Sequence, residues 1–285
     1  MNRLVLTGWA VHLPGIDLGE AVAGGPRGRW AAAEAAPPER AASVLGRKGL
    51  LATEPATRLA LCAVHSALGL EPGRRREPVP DPATAVLACS TLGALDTVAS
   101  VARTLAREGG KAVSVLDAPN VSPNVVASRV ALWFGFGGPN LLVTAGGSAR
   151  SMLRLAALLL RSGRAGRVVL VGAEPGDATA VAVHGGPVRA GAACAVLTDW
   201  RAGVPVTDGQ AVAELDPRPL CTAPLAGFDP AAAWGDFGGA ADVIALALAA
   251  HLAVDERHGV VGVGRSTVDG VPAVSVHSAP VEVTR

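Results

Sequence analysis

Aromatic side chains are scarce in this sequence: 285 residues hold four Phe, five Trp and no Tyr. With 35 Gly and abundant Ala, that scarcity leaves a chain of only 28.5 kDa. An excess of charge is missing too. The formal net charge is +1, which excludes a broad electrostatic grip on nucleic acid. Lysine is confined to Lys48 and Lys111; the other basic residues are Arg, a bias without functional signal in an Ala/Arg/Gly-rich chain. No apolar run is long enough to span a bilayer. The longest, Ala240 to Val254, is broken by Asp242 and His251 and falls short of the roughly 20 residues required. The opening residues offer too short an apolar run for a signal peptide, so a cytoplasmic protein without membrane contact is expected. Paired cysteines are also lacking. Cys62, Cys89, Cys194 and Cys221 are scattered, which predicts buried, reduced core residues. No clustered ligand set suggests a metal, and no cofactor is expected.

Half of the residues are hydrophobic and mean hydropathy is +0.38, so the chain can bury a large core and is not disordered. Strand and helix signals alternate. Strands are predicted at 3–9, 85–89, 141–144, 167–171 and 192–197, with helices at 51–69, 95–107 and 149–161. The 149–161 helix is apolar nearly all round, which predicts burial in the middle of a layered fold. Residues 201–235 are Pro-rich and read as irregular. A last helix is predicted at 240–254, then strands at 260–265 and 273–277 joined by an Asp269-Gly270 hairpin turn. Such alternation argues for α/β layers around a mainly parallel sheet. A boundary at 199–209 divides the chain into a half at 1–200 and a shorter one at 201–285.

Six segments, in order and spacing, resemble the β-ketoacyl synthase family. They are Leu4 to Gly15; Pro119 to Arg129 with Gly138-Pro139-Asn140-Leu141; Thr144-Ala145-Gly146-Gly147-Ser148-Ala149; Ala165 to Glu174; Arg189 to Ala193; and Gly239-Ala240-Ala241. The resemblance covers most of residues 1–200 and returns at 232–285. It implies a thiolase-like fold, with two similar α/β halves in an αβαβα layering and the C-terminal half shortened. It also implies dimerisation through the strand before the nucleophile turn, Asn140, Leu141, Leu142, Val143, Thr144 and Ala145.

The departures from the family's pattern concern its catalytic positions. The family's nucleophilic Cys aligns with Gly147, which has no side chain to hold an acyl group. One catalytic His belongs to a His-Gly-Thr-Gly-Thr motif that is absent here after residue 200. The other aligns with Asp236. Three losses together point to a pseudoenzyme without condensing activity of its own. Two residues could carry a relocated nucleophile. Ser148 stands at a helix start, where an N-cap is the simpler role. Cys89 begins a turn after a strand, where a buried Cys is the simpler reading. His184 and His251 read as surface residues, and no Ser/His/Asp order can be defended. A phosphate cradle at 145–148 lacks the glycine pattern and the lysine it would need.

The resemblance therefore implies a chain-length-factor-like subunit of a type II polyketide, aryl-polyene or fatty-acid-like synthase. Its expected partners are an active ketosynthase and an acyl carrier protein whose acidic face meets Arg residues. An acyltransferase or hydrolase using Ser148 or Cys89, or a non-enzymatic acyl- or carrier-binding scaffold, are the alternatives.

Overall fold

The computed structural model describes residues 2–18, 34–51, 53–75, 77–144, 148–202, 209–215, 225, 228–255, 261–265 and 272–278. In chain order the elements are β1 (Asn2–His12), α1 (Ala42–Leu45), α2 (Pro55–Ala67), β2 (Thr84–Cys89), α3 (Leu95–Glu108), α4 (Val125–Phe134), β3 (Asn140–Val143), α5 (Ala149–Arg161), β4 (Arg167–Glu174) and α6 (Ala178–His184). There follow β5 (Gly191–Asp199), β6 (Ala211–Leu215), α7 (Pro230–Trp234), α8 (Ala241–Asp255), β7 (Val261–Arg265) and β8 (Pro272–Ser278). The strands form one sheet in the order β3-β2-β4-β5-β1-β6-β8-β7.

Only β3-β2-β4 is parallel; every other pairing in the sheet is antiparallel. This corrects the expectation of a mainly parallel sheet. Parallel neighbours need a long crossover, which α4 and α5 supply, whereas β5 returns beside β4 after the single short helix α6.

Strand parity sorts the core into two layers. Val168 and Leu170 of β4 face α5 and α8, while Val169 and Val171 face α2 and α4. With both faces covered, all six residues of β2 are buried, as a strand between two helical layers requires. The helix α2 begins at Pro55, whose fixed φ suits a first helical position, and lies against β1, β4 and β5. At Gly8 a Cβ would stand 2.3 Å from the Ala67 carbonyl oxygen, so only glycine lets the end of α2 approach β1 this closely.

The sheet curls back over its own face. Helix α5 touches both β2 and β7, which lie six strands apart, or about 29 Å along a flat sheet. A 13-residue helix is only about 20 Å long. Thus α5 and α8 lie between the first five strands and β6-β8-β7, and α2 and α4 cover the outer face of the first five. This is the thiolase-like layering, with a shortened second half. Among the described residues, the helices packed on β6, β7 and β8 are α5 and α8.

Several boundaries shift. β1 continues to His12 and contains a register irregularity between Leu6 and Gly8. β4 runs on to Glu174, three residues beyond the predicted end. The stretch 201–235, expected to be irregular, contains β6 and α7, and the helices α4 and α6 were not anticipated. Strands β7 and β8 do pair, while their Asp269-Gly270 turn lies outside the described residues. Helix α5 has the predicted ends, but Ser151, Arg154 and Leu158 are exposed on one flank, so it is not buried all round. It is α8 that is buried nearly all round. His251, expected on the surface, is buried within α8. Cys62, Cys89 and Cys194 are buried free thiols; Cys221 lies outside the described residues.

Candidate functional site

The C-terminal ends of β2 and β4 meet the N-terminal ends of α5 and α8, and Glu174 ties these parts together. Its side chain is fully buried. Oε1 accepts from the Thr91 N–H at 2.6 Å and the Gly239 N–H at 2.9 Å. Oε2 accepts from the Leu92 N–H at 3.0 Å and the Ser90 hydroxyl at 3.4 Å. One carboxylate thus fixes the turn after β2 and the approach to α8. Glycine is required on the α8 side, because a Cβ at Gly239 would lie 2.8 Å from Thr91 Oγ1 and 3.0 Å from Glu174 Oε1. Burial pushes the Glu174 carboxyl above its ordinary pKa, and the four donors pull it back.

A second carboxylate closes the start of α5. The Ala149 N–H donates to Asp242, which comes from the first turn of α8; burial raises the Asp242 pKa and this bond opposes the rise. The carboxylate therefore occupies the electropositive end of the helix. Ser148 is the N-cap of α5. Its Oγ accepts from the Ser151 N–H at 3.3 Å and lies 3.1 Å from the Ser151 hydroxyl. Neither partner is an imidazole or a carboxylate, so these bonds supply no general base.

Asp236 and His184 meet across the rim, with His184 Nε2 3.0 Å from Asp236 Oδ2. Asp236 is held from its other side by the Gly238 N–H at 2.7 Å, and its carbonyl accepts from the Arg189 N–H at 2.8 Å. His184 ends α6 and is exposed, as expected; its acidic partner was not foreseen. Cys89 does not qualify as a nucleophile. It is buried, and burial, reinforced by the Asp242 and Glu174 carboxylates, pushes its thiol up to about 12. Such a thiol keeps its proton at neutral pH. Gly147, with Ala145 and Gly146, lies outside the described residues. Among the described residues no group of His, Cys, Asp and Glu could hold a metal ion, and no helix is long and apolar enough to cross a membrane.

The strand β3 is one of the two edges of the sheet, β7 being the other. Asn140 to Val143 form β3, Thr144 follows without strand pairing, and Ala145 lies outside the described residues. The Val86 N–H donates to the Pro139 carbonyl and the Ser90 N–H to the Val143 carbonyl. Alternation along a parallel ladder then points the backbone groups of Leu141 and Val143 at β2 and those of Asn140 and Leu142 outward.

The profile of the β-ketoacyl synthase N-terminal domain matches residues 20–217. The chain belongs to the β-ketoacyl synthase family. Compared by sequence with curated proteins it has no significant match. Among solved structures it is similar to the ishigamide ketosynthase/chain length factor, with a TM-score of 0.66 and 20% identity over 96% of this chain and 98% of that one. A β-ketoacyl synthase from Burkholderia phymatum STM815 aligns at a TM-score of 0.49 and 19% identity, over 71% of this chain and 60% of its own. A ketosynthase in complex with its chain length factor from Xenorhabdus doucetiae aligns at 0.45 and 19%, over 76% and 85%. The family member described here thus matches the first of these over nearly its whole length and spans only part of the second.

The sequence singles out Ser148, Cys89 and Asp236 as candidates but not Glu174 or Asp242, whose bonds hold this junction together. Glu174 stood in the strand that carried the family resemblance. An acidic residue closing an otherwise apolar strand was the available signal, since such a carboxylate needs donors. Asp242 had been noted only as an interruption of an apolar run.

Proposed function

We propose that this chain is a non-catalytic ketosynthase-like subunit that pairs with an active ketosynthase and shapes acyl elongation on an acyl carrier protein. The setting would be a type II polyketide, aryl-polyene or fatty-acid-like synthase. The observation that carries the reading is the chemistry of the site. Asp236, in the connection between α7 and α8, stands where condensation calls for an imidazole donor, and Asp242 closes the electropositive start of α5 that condensation needs open. A carboxylate there repels the carboxylate of a malonyl thioester and the enolate it becomes. Ser148 is engaged as a cap, and Cys89 is a buried thiol. The partner then supplies the thiolate and both imidazoles.

Pairing is supported by the edge at β3. Leu142 and Asn140 offer backbone groups to a further strand, and Leu141 and Val143 share the sheet face that carries α5. Leu141 is 38% exposed and Leu158, on the uncovered flank of α5, 62% exposed. An exposed leucine on an edge strand and another on an uncovered helix flank suit an apolar interface of the kind obligate dimers use.

The test is co-expression with a ketosynthase from the same gene cluster, followed by size-exclusion with light scattering. The parent is expected to elute as a complex. Leu142→Pro removes an outward N–H without touching the ladder to β2, and Leu158→Arg places a charge on the uncovered flank; each should lose the partner while keeping the fold by circular dichroism. Complexes that survive both substitutions would place the interface elsewhere. A covalent acyl adduct on Ser148 or Cys89, seen by intact mass after incubation with acyl carrier protein, would instead make the chain a relocated-nucleophile acyltransferase or hydrolase.

A further inference from the structure

The end of the sheet away from Glu174 holds a cleft. Arg167 begins β4 and Glu174 ends it, so roughly 23 Å of strand separates the two places. The cleft has a volume of about 240 Å³. Leu68, Val79, Phe134 and Phe136 give it apolar walls, and Asp81 and Arg167 line it with polar groups. Two of the four Phe in the chain therefore stand here. Phe134 ends α4, and Gly135 follows in the left-handed region at φ 81° and ψ 21°, which turns Phe136 back beside it. The two rings stack, with centroids 5.6 Å apart and planes 21° from parallel.

The facing wall is held by backbone. The Asp81 N–H donates to the Gly135 carbonyl and the Gly137 N–H to the Asp81 carbonyl, both at 2.8 Å. A Cβ at Gly135 would stand 2.5 Å from the Val79 carbonyl oxygen, so glycine is what lets the 77–81 segment come this close. Val79 nevertheless stays 59% exposed. Arg167 is tied on one side of its guanidinium only. Its Nη2 donates to Asp81 Oδ2 at 2.7 Å and its Nε to Thr84 Oγ1 at 2.9 Å, and the group lies 5.8 Å from the centroid of the Phe136 ring. Both Asp81 oxygens are engaged, because Oδ2 also accepts from the Thr84 hydroxyl at 2.7 Å and Oδ1 from the Ala83 N–H at 3.1 Å. Arg167 Nη1 makes no hydrogen bond among the described residues. A fixed guanidinium thus keeps spare N–H donors beside an aromatic wall.

The charges of the lining select the ligand. Asp81 and Arg167 cancel, and Glu77, 3.9 Å from Lys48, adds a second carboxylate. A ligand carboxylate would meet two like charges, and an ammonium would meet the guanidinium. An uncharged acceptor meets neither, and it satisfies a donor that a bare hydrocarbon would leave unpaired. A cavity of about 150 Å³ holds benzene, so this cleft has room for one ring and a short substituent. We propose that it binds a small, planar, uncharged aromatic compound bearing a carbonyl group, with the ring against Phe134 and Phe136 and the oxygen on Arg167 Nη1.

The experiment titrates the full chain with acetophenone and reads binding by ligand-observed saturation-transfer NMR. Toluene lacks the acceptor, cyclohexyl methyl ketone lacks the flat ring, and benzoate carries a charge. Acetophenone should bind at least fivefold more tightly than each of the three. Val79→Trp fills the cleft from its exposed side and should abolish binding while the circular dichroism of the parent is kept. Arg167→Lys keeps a cation beside Asp81 but removes the second arm of the fork, so acetophenone should fall to the level of toluene. The Lys variant decides the matter if the Trp variant does not fold. Absence of acetophenone binding by the parent, or undiminished binding by folded Val79→Trp, overturns the site. Toluene binding as tightly as acetophenone, or acetophenone binding unchanged in Arg167→Lys, overturns the role of the guanidinium. A preference for benzoate overturns the uncharged ligand, and equal binding of the cyclohexyl ketone overturns the planar one.

Discussion

Replacing Glu174 by Gln tests the principle by which the site is assembled. The carboxylate is approached by four donors and no acceptor. A glutamine must turn its NH2 group toward one pair of them. The less costly choice keeps the amide oxygen on the Thr91 and Gly239 N–H groups and sets the NH2 against Leu92 and Ser90. The Ser90 hydroxyl can rotate and accept, but the Leu92 N–H cannot, so one buried donor is orphaned at about 1–3 kcal/mol. The two bonds that remain lose their charge assistance, roughly another 1 kcal/mol. Relief of the buried charge works the other way. The expected loss is about 2 kcal/mol for Glu174→Gln. Glu174→Ala orphans three backbone N–H groups and should lose about 4–6 kcal/mol, a large part of a typical total of about 5–15. Urea unfolding measures both, as a lower midpoint at unchanged slope. A Gln variant as stable as the parent would refute the reasoning, because it would mean that burial has already protonated Glu174 and that its four donors do not hold a charge.

Two further outcomes follow from the same physics. His12 and His65 are buried beside the carbonyls of Ala36 and Glu71, and burial lowers both pKa values, so each stays neutral when folded while its unfolded counterpart protonates below about 6.5. The stability they support is present above that pH and lost as pH falls toward their folded values; the double variant His12→Gln and His65→Gln should therefore lose less stability than the parent between about pH 7 and 5 in urea titrations, and parallel curves would contradict this. If the proposed loss of catalysis holds, Gly147→Cys should give no condensation product with acyl and malonyl carrier protein in the absence of a ketosynthase, since Asp236, paired with His184, offers no imidazole; turnover above background would mean that the imidazole functions are supplied elsewhere in the chain.

The strands and the two central helices were legible because each carries its signal locally. β2 and β4 are continuous apolar runs, and α5 starts at a serine that caps it. β6 was not legible, because five residues between Pro-rich stretches carry no pattern of their own and become a strand only by pairing with β1 and β8. The site was half legible for a similar reason. Single positions such as Ser148 and Asp236 can be picked out in one dimension, whereas the pairing of His184 with Asp236 joins residues 52 apart, and the cradle of Glu174 draws on turns 82 to 84 residues before it and on Gly239, 65 after it.

The helices α5 and α8 show why apolar patterning and burial part company. Both read as nearly all apolar, and both lie between the two portions of the curled sheet. Periodicity reports which faces can be buried, not which are covered. α8 is covered on every side by β1, β4, β5 and β6-β8-β7, which is why even His251 is buried there. α5 sits nearer the β3 edge and leaves Ser151, Arg154 and Leu158 uncovered. Leu158 is 62% exposed, and Leu141 on the edge strand β3 is 38% exposed. Exposed apolar area of this kind costs about 25 cal/mol per Å² relative to burial, so a partner that covers both leucines and the free backbone groups of Leu142 gains directly from the contact.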